Sequence, residues 1–217
     1  MKAKNLLNLE RNDITLVAVS KTKPVEEIKK KYNEGFINFG ENRANELVQK
    51  FNLLPKDINW HMIGHLQTNK VKKIIPFISL IHSVDSLKLI DKIENESKKF
   101  GKKTNILLQV HIAKEKSKYG FNFKEVRDFF KNQLDESYKN INIVGLMGMA
   151  TFTNNKNHIR KEFKNLKIFY DEIKSISQKN NQKIKILSMG MSSDYKIAIE
   201  EGSNMVRIGS LIFGERD

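Results

Sequence analysis

Short apolar runs and longer amphipathic runs alternate along this chain. The short runs cover residues 14–21, 36–41, 60–64, 80–84, 106–112, 143–150, 186–191 and 205–213. They are of strand length, rich in β-branched residues, and mostly bounded by Gly, Asn, Asp or Ser. The stretches between them repeat their apolar positions at helical spacing, over 25–34, 44–52, 69–75, 86–100, 123–134, 158–179 and 194–201. Pro24 precedes the first of these, Ser86 opens the fourth as its cap, and Gly101 and Gly202 follow two of them. Those are helix start and stop signals. Eight strand–helix units of this kind predict an α/β protein with a parallel sheet. The expected architecture is a single (β/α)8 TIM-like barrel with a short N-terminal extension, residues 1–217 forming one domain. An open doubly wound sheet is the alternative, but its G-x-G-x-x-G fingerprint is missing after the first strand.

Composition narrows the function classes. A chain of 217 residues suits one domain and buries about 70% of its unfolded surface, so it needs no staples. The absence of Cys excludes a disulfide scaffold, a Cys-ligated metal and a cysteine nucleophile. No run approaches the roughly 18 apolar residues of a membrane span, and residues 1–13 carry no secretory signal. A cytoplasmic protein with no membrane partner is expected. The net charge of +14 invites a nucleic-acid reading, but the excess is spread as +5, +5 and +4 over residues 1–72, 73–145 and 146–217. Its source is 33 Lys against six Arg, and Arg is the usual fork for phosphates and base edges. A solvated Lys-rich surface, with no nucleic-acid partner, is the reading that fits.

In a barrel, chemistry collects at the C-terminal ends of the strands. The first strand ends in Ser20-Lys21-Thr22-Lys23-Pro24, and alternation puts Thr15, Val17, Val19 and Lys21 on one face. If that face is the inner one, Lys21 is an amine held at the mouth. A desolvated, neutral amine condenses with an aldehyde. The seventh and eighth strands run into Ser192-Ser193-Asp194 and Gly209-Ser210, where hydroxyls and close backbone N–H groups can hold a phosphate. Together these features suit a phosphorylated aldehyde, of which pyridoxal 5′-phosphate is the common one. Arg207 lies two residues before Gly209. An Arg facing the pyridine nitrogen disfavours protonation there and leaves a poor electron sink.

Other residues read more plainly. His61 and His65 are four apart but straddle Gly64 at a strand end, so His61 is expected as a packed strand residue and His65 near the mouth. Trp60 is expected in the core, and Met147, Met149, Met189 and Met191 inside the barrel and its mouth. Asp85 should cap or precede the fourth helix. Lys23 and Lys118 are cations that could attract a phosphate.

The segments LVAVSKTKP (16–24), NFGENRANEL (38–47), WHMIGHLQTNK (60–70), IHSVDS (81–86), QVHIAKEKSKYGF (109–121), GLMGMA (145–150), LSMGMSSDYKIAI (187–199) and MVRIGSLIFGERD (205–217) carry a specific likeness. They resemble, in order and over nearly the whole chain, the pyridoxal-phosphate homeostasis protein family, related in fold to the N-terminal barrel of alanine racemase. The resemblance implies a monomeric barrel that holds pyridoxal 5′-phosphate, carries or buffers it, and has no robust turnover. It implies Lys21 as the Schiff-base lysine, Asn42 near the ring and its phenolic oxygen, Arg207 at the ring nitrogen, and Ser192, Ser193, Gly209 and Ser210 around the phosphate. PLP-dependent apo-enzymes are the implied partners. A weak amino-acid racemase is the alternative; it needs a second acid/base opposite Lys21, and none of the five Tyr is evidently placed for that. Tyr119 stands where the family pattern suggests a smaller residue.

Overall fold

The computed structural model describes residues 13–115, 119–133, 138–178 and 183–214. Eight strands follow one another: β1 Thr15–Val19, β2 Asn38–Glu41, β3 Asn59–Met62, β4 Leu80–Val84, β5 Thr104–Val110, β6 Ile141–Gly148, β7 Ile186–Ser188 and β8 Met205–Ile208. Each pairs in parallel with the next, and β8 returns to β1, so the sheet closes into a barrel. The helices of the outer layer are α1 Val25–Asn33, α2 Ala44–Leu53, α3 Val71–Ile74, α4 Leu87–Lys99, α5 Phe123–Asp128, α6 Lys156–Gln178, α7 Tyr195–Glu200 and α8 Ser210–Phe213. The expected (β/α)8 architecture is therefore present. The N-terminal extension expected before β1 falls in residues 1–12, outside the described residues.

Strand pairing separates the two faces. Val17 lies level with Arg207, Val19 with Gly40, Gly40 with His61, and His61 with Leu80. These rows face the barrel interior, where Val17, Leu80, Leu107, Met147 and Met205 form an apolar plug. The alternate row, including Ala18, Phe39 and Trp60, joins the larger core between strands and helices. Burial of this two-layer core is the main favourable term holding the closed sheet.

Several boundaries differ from the sequence expectation. The first strand stops at Val19 rather than at residue 21. The eighth stops at Ile208, because Gly209 leaves the extended conformation and its carbonyl accepts from the N–H groups of Ile212 and Phe213. Residues 210–213 are thus a helical turn, not strand. The third helix opens with a tight turn at Thr68–Lys70, and α5 continues as a wider π turn over Phe129–Gln133. Ser86 occupies the start of α4 but makes no side-chain cap bond. The capping box lies instead at α5, where Asn122 and Glu125 exchange side-chain bonds with each other's N–H. Met189 is also outside its expected place: Ser188 takes the inward position, so Met189 packs between barrel and helices.

Candidate functional site

All seven residues singled out from the sequence line one cavity of about 440 Å³ at the C-terminal mouth: Lys21, Asn42, Ser192, Ser193, Arg207, Gly209 and Ser210. Val19, Ile63, Met149 and Met191 supply apolar wall. Met149 and Met191 lie at the mouth as expected, whereas Val19 and Ile63 were not expected in the site, although Val19 shares the alternating face of Lys21.

Lys21 is held from both sides. The buried Ser20 donates its N–H to Gly40 O (3.0 Å) and its hydroxyl to Glu41 Oε1 (2.6 Å), and its carbonyl accepts from Lys50 Nζ at 2.8 Å. On the other side Thr22 adopts a left-handed conformation (φ 66°) and donates its N–H to Glu46 Oε1 at 2.7 Å. A β-branched residue there costs about 1–2 kcal/mol, and persists only where its surroundings over-determine it. The determining group is Lys50, whose ammonium also binds Glu41 Oε1 and Glu46 Oε1, both at 2.7 Å. Glu41 is fully buried and its Oε2 has no hydrogen-bond partner. Burial raises its carboxyl to about 7, against the pull of Lys50 and Ser20. No sequence signal marked this network: nothing in the residue types tells which of 33 lysines turns inward.

The opposite wall is built by the turns after β7 and β8. Gly190 has φ 99°, and a Cβ there would lie 2.7 Å from Ala198 Cβ, so only glycine brings the chain round. Asp194 Oδ1 accepts from Met191 N–H (2.6 Å), closing the turn that presents Ser192 and Ser193. Ser192 Oγ accepts from Gly209 N–H at 3.2 Å, which joins the two turns and leaves the hydroxyl proton to donate. The helices that follow, α7 and α8, have six and four residues, so hydroxyls and turn N–H groups are the main anion donors here.

Arg207 reaches the cavity floor from β8 while remaining 4% exposed. Its Nη1 donates to Ser188 O (3.0 Å) and Ser188 Oγ (2.6 Å), and its Nη2 to Gly148 O (3.1 Å). Burial lowers its pKa to about 10, still a cation at neutral pH. The backbone at Asn42 packs closely on Gly64, where a Cβ would lie 2.5 Å from Asn42 O.

Around the rim, His65 Nδ1 meets Asp85 Oδ2 at 2.9 Å, and the Tyr119 ring stacks on His65 at 4.2 Å. Asp85 precedes α4, as expected, and its carboxylate is directed to His65. Lys23 Nζ donates to Phe213 O (3.1 Å), pinning the β1 loop to α8. Lys23 and Asn42 also border an adjoining groove of about 1060 Å³ that includes Arg43, Glu46 and Lys70. Lys118 lies outside the described residues. His61 is buried in β3, as expected, and no cluster of three or more metal-ligating side chains occurs among the described residues. Nor, among them, is any helix long and apolar enough to cross a membrane.

The family described as alanine racemase, N-terminal domain, matches residues 3–217. The pyridoxal phosphate homeostasis protein of Aquifex aeolicus is 38% identical over 206 residues, covering 94% of this chain and 88% of that one. PipY of Synechococcus elongatus is 30% identical and covers 98% of both chains, with TM-scores of 0.91 without PLP and 0.87 with PLP bound. An alanine racemase of Clostridium difficile, 19% identical, shares the fold with a TM-score of 0.75 over 99% of this chain and 55% of its own. With a closed eight-stranded barrel, an amine, a guanidinium and hydroxyls around one mouth, and these relatives over nearly its full length, the chain belongs to the pyridoxal phosphate homeostasis protein family.

Proposed function

We propose that this chain binds pyridoxal 5′-phosphate in the mouth cavity and serves in its intracellular homeostasis as a carrier or regulator. The observation that carries this is the convergence in one cavity of an amine from the turn after β1, a guanidinium from β8 and hydroxyls from the turns after β7 and β8. About 440 Å³ is within the usual range for a small-molecule site. The donor set matches the ligand part by part. Lys21 provides the Schiff-base amine, Asn42 lies beside the ring, Arg207 faces the pyridine nitrogen, and Ser192, Ser193, Gly209 and Ser210 hold the phosphate. When bound, the cofactor supplies an electrophilic carbonyl and an electron-withdrawing ring. The chain's own part is to fix the amine through the Ser20–Lys50–Glu41 network and to keep a cation, Arg207, against the ring nitrogen. A cation there disfavours a second proton. That supports binding without robust turnover.

In this reading residues 1–217 act as one binding domain, a cytoplasmic monomer whose partners are PLP-dependent apo-enzymes. Among the described residues no tyrosine lines the cavity, so an acid/base opposite Lys21, which racemisation requires, has no candidate of that type. The test is to load the protein with pyridoxal phosphate, fix the adduct with borohydride and map the peptide. The label is expected on Lys21 at one per chain, and lost in Lys21→Ala. Equal labelling of the variant would overturn the assignment.

A further inference from the structure

Four polar side chains occupy the barrel interior beneath the mouth. His61 on β3, His82 on β4, Ser188 on β7 and Arg207 on β8 are each at most 4% exposed. They form one hydrogen-bonded line. Arg207 Nη1 is 2.6 Å from Ser188 Oγ, and Ser188 Oγ is 3.1 Å from His82 Nδ1. His82 Nε2 is 2.9 Å from His61 Nδ1, and His61 Nε2 is 3.4 Å from Asn38 Oδ1 on β2. Asn38, His61 and Asn59 also line a separate cavity of about 250 Å³ away from the mouth. The line therefore runs from the floor of the mouth cavity, through the interior, to a second opening of the barrel.

The two ends of the line together set the direction of its links. A guanidinium only donates, so Ser188 Oγ accepts from Arg207 and its single proton is left for His82. His82 Nδ1 then accepts, which puts the ring proton on Nε2. That proton goes to His61 Nδ1, so His61 in turn carries its proton on Nε2 and donates to Asn38 Oδ1. The far end agrees independently: Asn59 Nδ2 donates to the same Asn38 Oδ1 at 3.2 Å, which makes that atom an acceptor. Both imidazoles must be neutral for this pattern. Burial holds His61 down at about 4, and burial, His61 and the Arg207 charge hold His82 well below the usual imidazole range.

We propose that His82 and His61 are positioning residues for Arg207, forming with Ser188 and Asn38 a one-way chain of hydrogen bonds that orients the guanidinium toward the cofactor. The inference rests on the reading that pyridoxal phosphate binds with its ring nitrogen at Arg207. Each donor in the chain points away from Arg207, so each acceptor end faces toward it. Aligned dipoles of this kind reinforce one another in a low-dielectric interior. They stabilise a buried cation whose hydrogen bonds go to neutral oxygens of Ser188 and Gly148. They also anchor Nη1.

The test has two parts. Nitrogen-15 NMR of the imidazoles in the full chain, without added cofactor, is expected to show His61 and His82 neutral and protonated on Nε2. A ring protonated on Nδ1, or on both nitrogens at neutral pH, overturns the chain. In the second part wild type, Ser188→Ala, His82→Phe and His82→Asn are loaded with pyridoxal phosphate. Ser188→Ala and His82→Phe should keep the borohydride-fixed label while the ratio of the two absorption bands of the bound cofactor shifts about two- to fivefold, or about 0.4–1 kcal/mol. His82→Asn keeps an acceptor for Ser188 and should restore the wild-type ratio. An unchanged ratio in Ser188→Ala overturns the proposal. Failure of wild type to take up label while the tautomers hold would instead remove the cofactor reading and, with it, the role assigned to the chain.

Discussion

Glu41 is a carboxyl whose environment departs far from its chemistry. Its ordinary pKa near 4.5 is raised to about 7 by burial, with Lys50 only partly offsetting that cost. The folded protein therefore binds a proton at Glu41 between about pH 4.5 and pH 7 where the unfolded chain does not. Stability must fall as pH rises through that window, and the loss is complete above the folded value, at about 3 kcal/mol. Glu41→Gln removes the titration while keeping an acceptor for Lys50 and Ser20. Denaturant unfolding from about pH 4 to about pH 8 should show the variant gaining about 3 kcal/mol on wild type across the range. A difference that stays flat with pH would rule out the raised carboxyl. Lys21 was legible in the sequence because strand alternation and a strand end single it out. Its support was not: Ser20, Glu41, Glu46 and Lys50 come from the turn after β1, from β2 and from the helix after it, and their meeting depends on tertiary packing.

Among the elements, β7 and β8 carry the site turns yet share little regular ladder. Their paired register rests on Ser188 against Met205. Side chains from the turn between α7 and β8 supplement it. The Ser203 hydroxyl, fully buried, lies 2.8 Å from Met189 O and 3.1 Å from both Leu187 O and Met205 O. Asn204 accepts from Leu187 N–H at 2.8 Å and donates to Lys185 O at 2.7 Å. Ser203→Ala leaves those buried carbonyls without the hydroxyl and should cost about 1–3 kcal/mol, read as a lower denaturant midpoint at unchanged slope. A cost within error of zero would mean the seam is held by the ladder alone. Element boundaries near this seam were the least legible. Ser210-Leu211-Ile212-Phe213 continues an apolar run and reads as strand, because a short apolar run has no periodicity that separates strand from helix. Gly209 decides the matter through backbone geometry, which composition does not report.

For the whole molecule, eight strand–helix repeats made the fold class readable, since such alternation demands a parallel sheet covered by helices. Closure was a further step, supported by the missing dinucleotide fingerprint and realised in the pairing of β8 with β1. The cavity exists only because closure brings residues 21, 42, 192 and 207 to one mouth. Its occupancy should therefore be felt as global stability, because an unfolded chain has no such mouth and cannot bind there. A ligand at a hundred times its dissociation constant stabilises the folded state by about 2.7 kcal/mol. For a chain of 217 residues that corresponds to a rise in Tm of about 5–10 °C. Pyridoxal phosphate should produce it in wild type, and the rise should shrink in Lys21→Ala at the same ligand concentration. Pyridoxal without the phosphate should give less, since it forgoes the contacts at Ser192, Ser193, Gly209 and Ser210. An equal shift with inorganic phosphate alone would reduce the cavity to an anion site, and no shift with pyridoxal phosphate would remove the cofactor from this protein altogether.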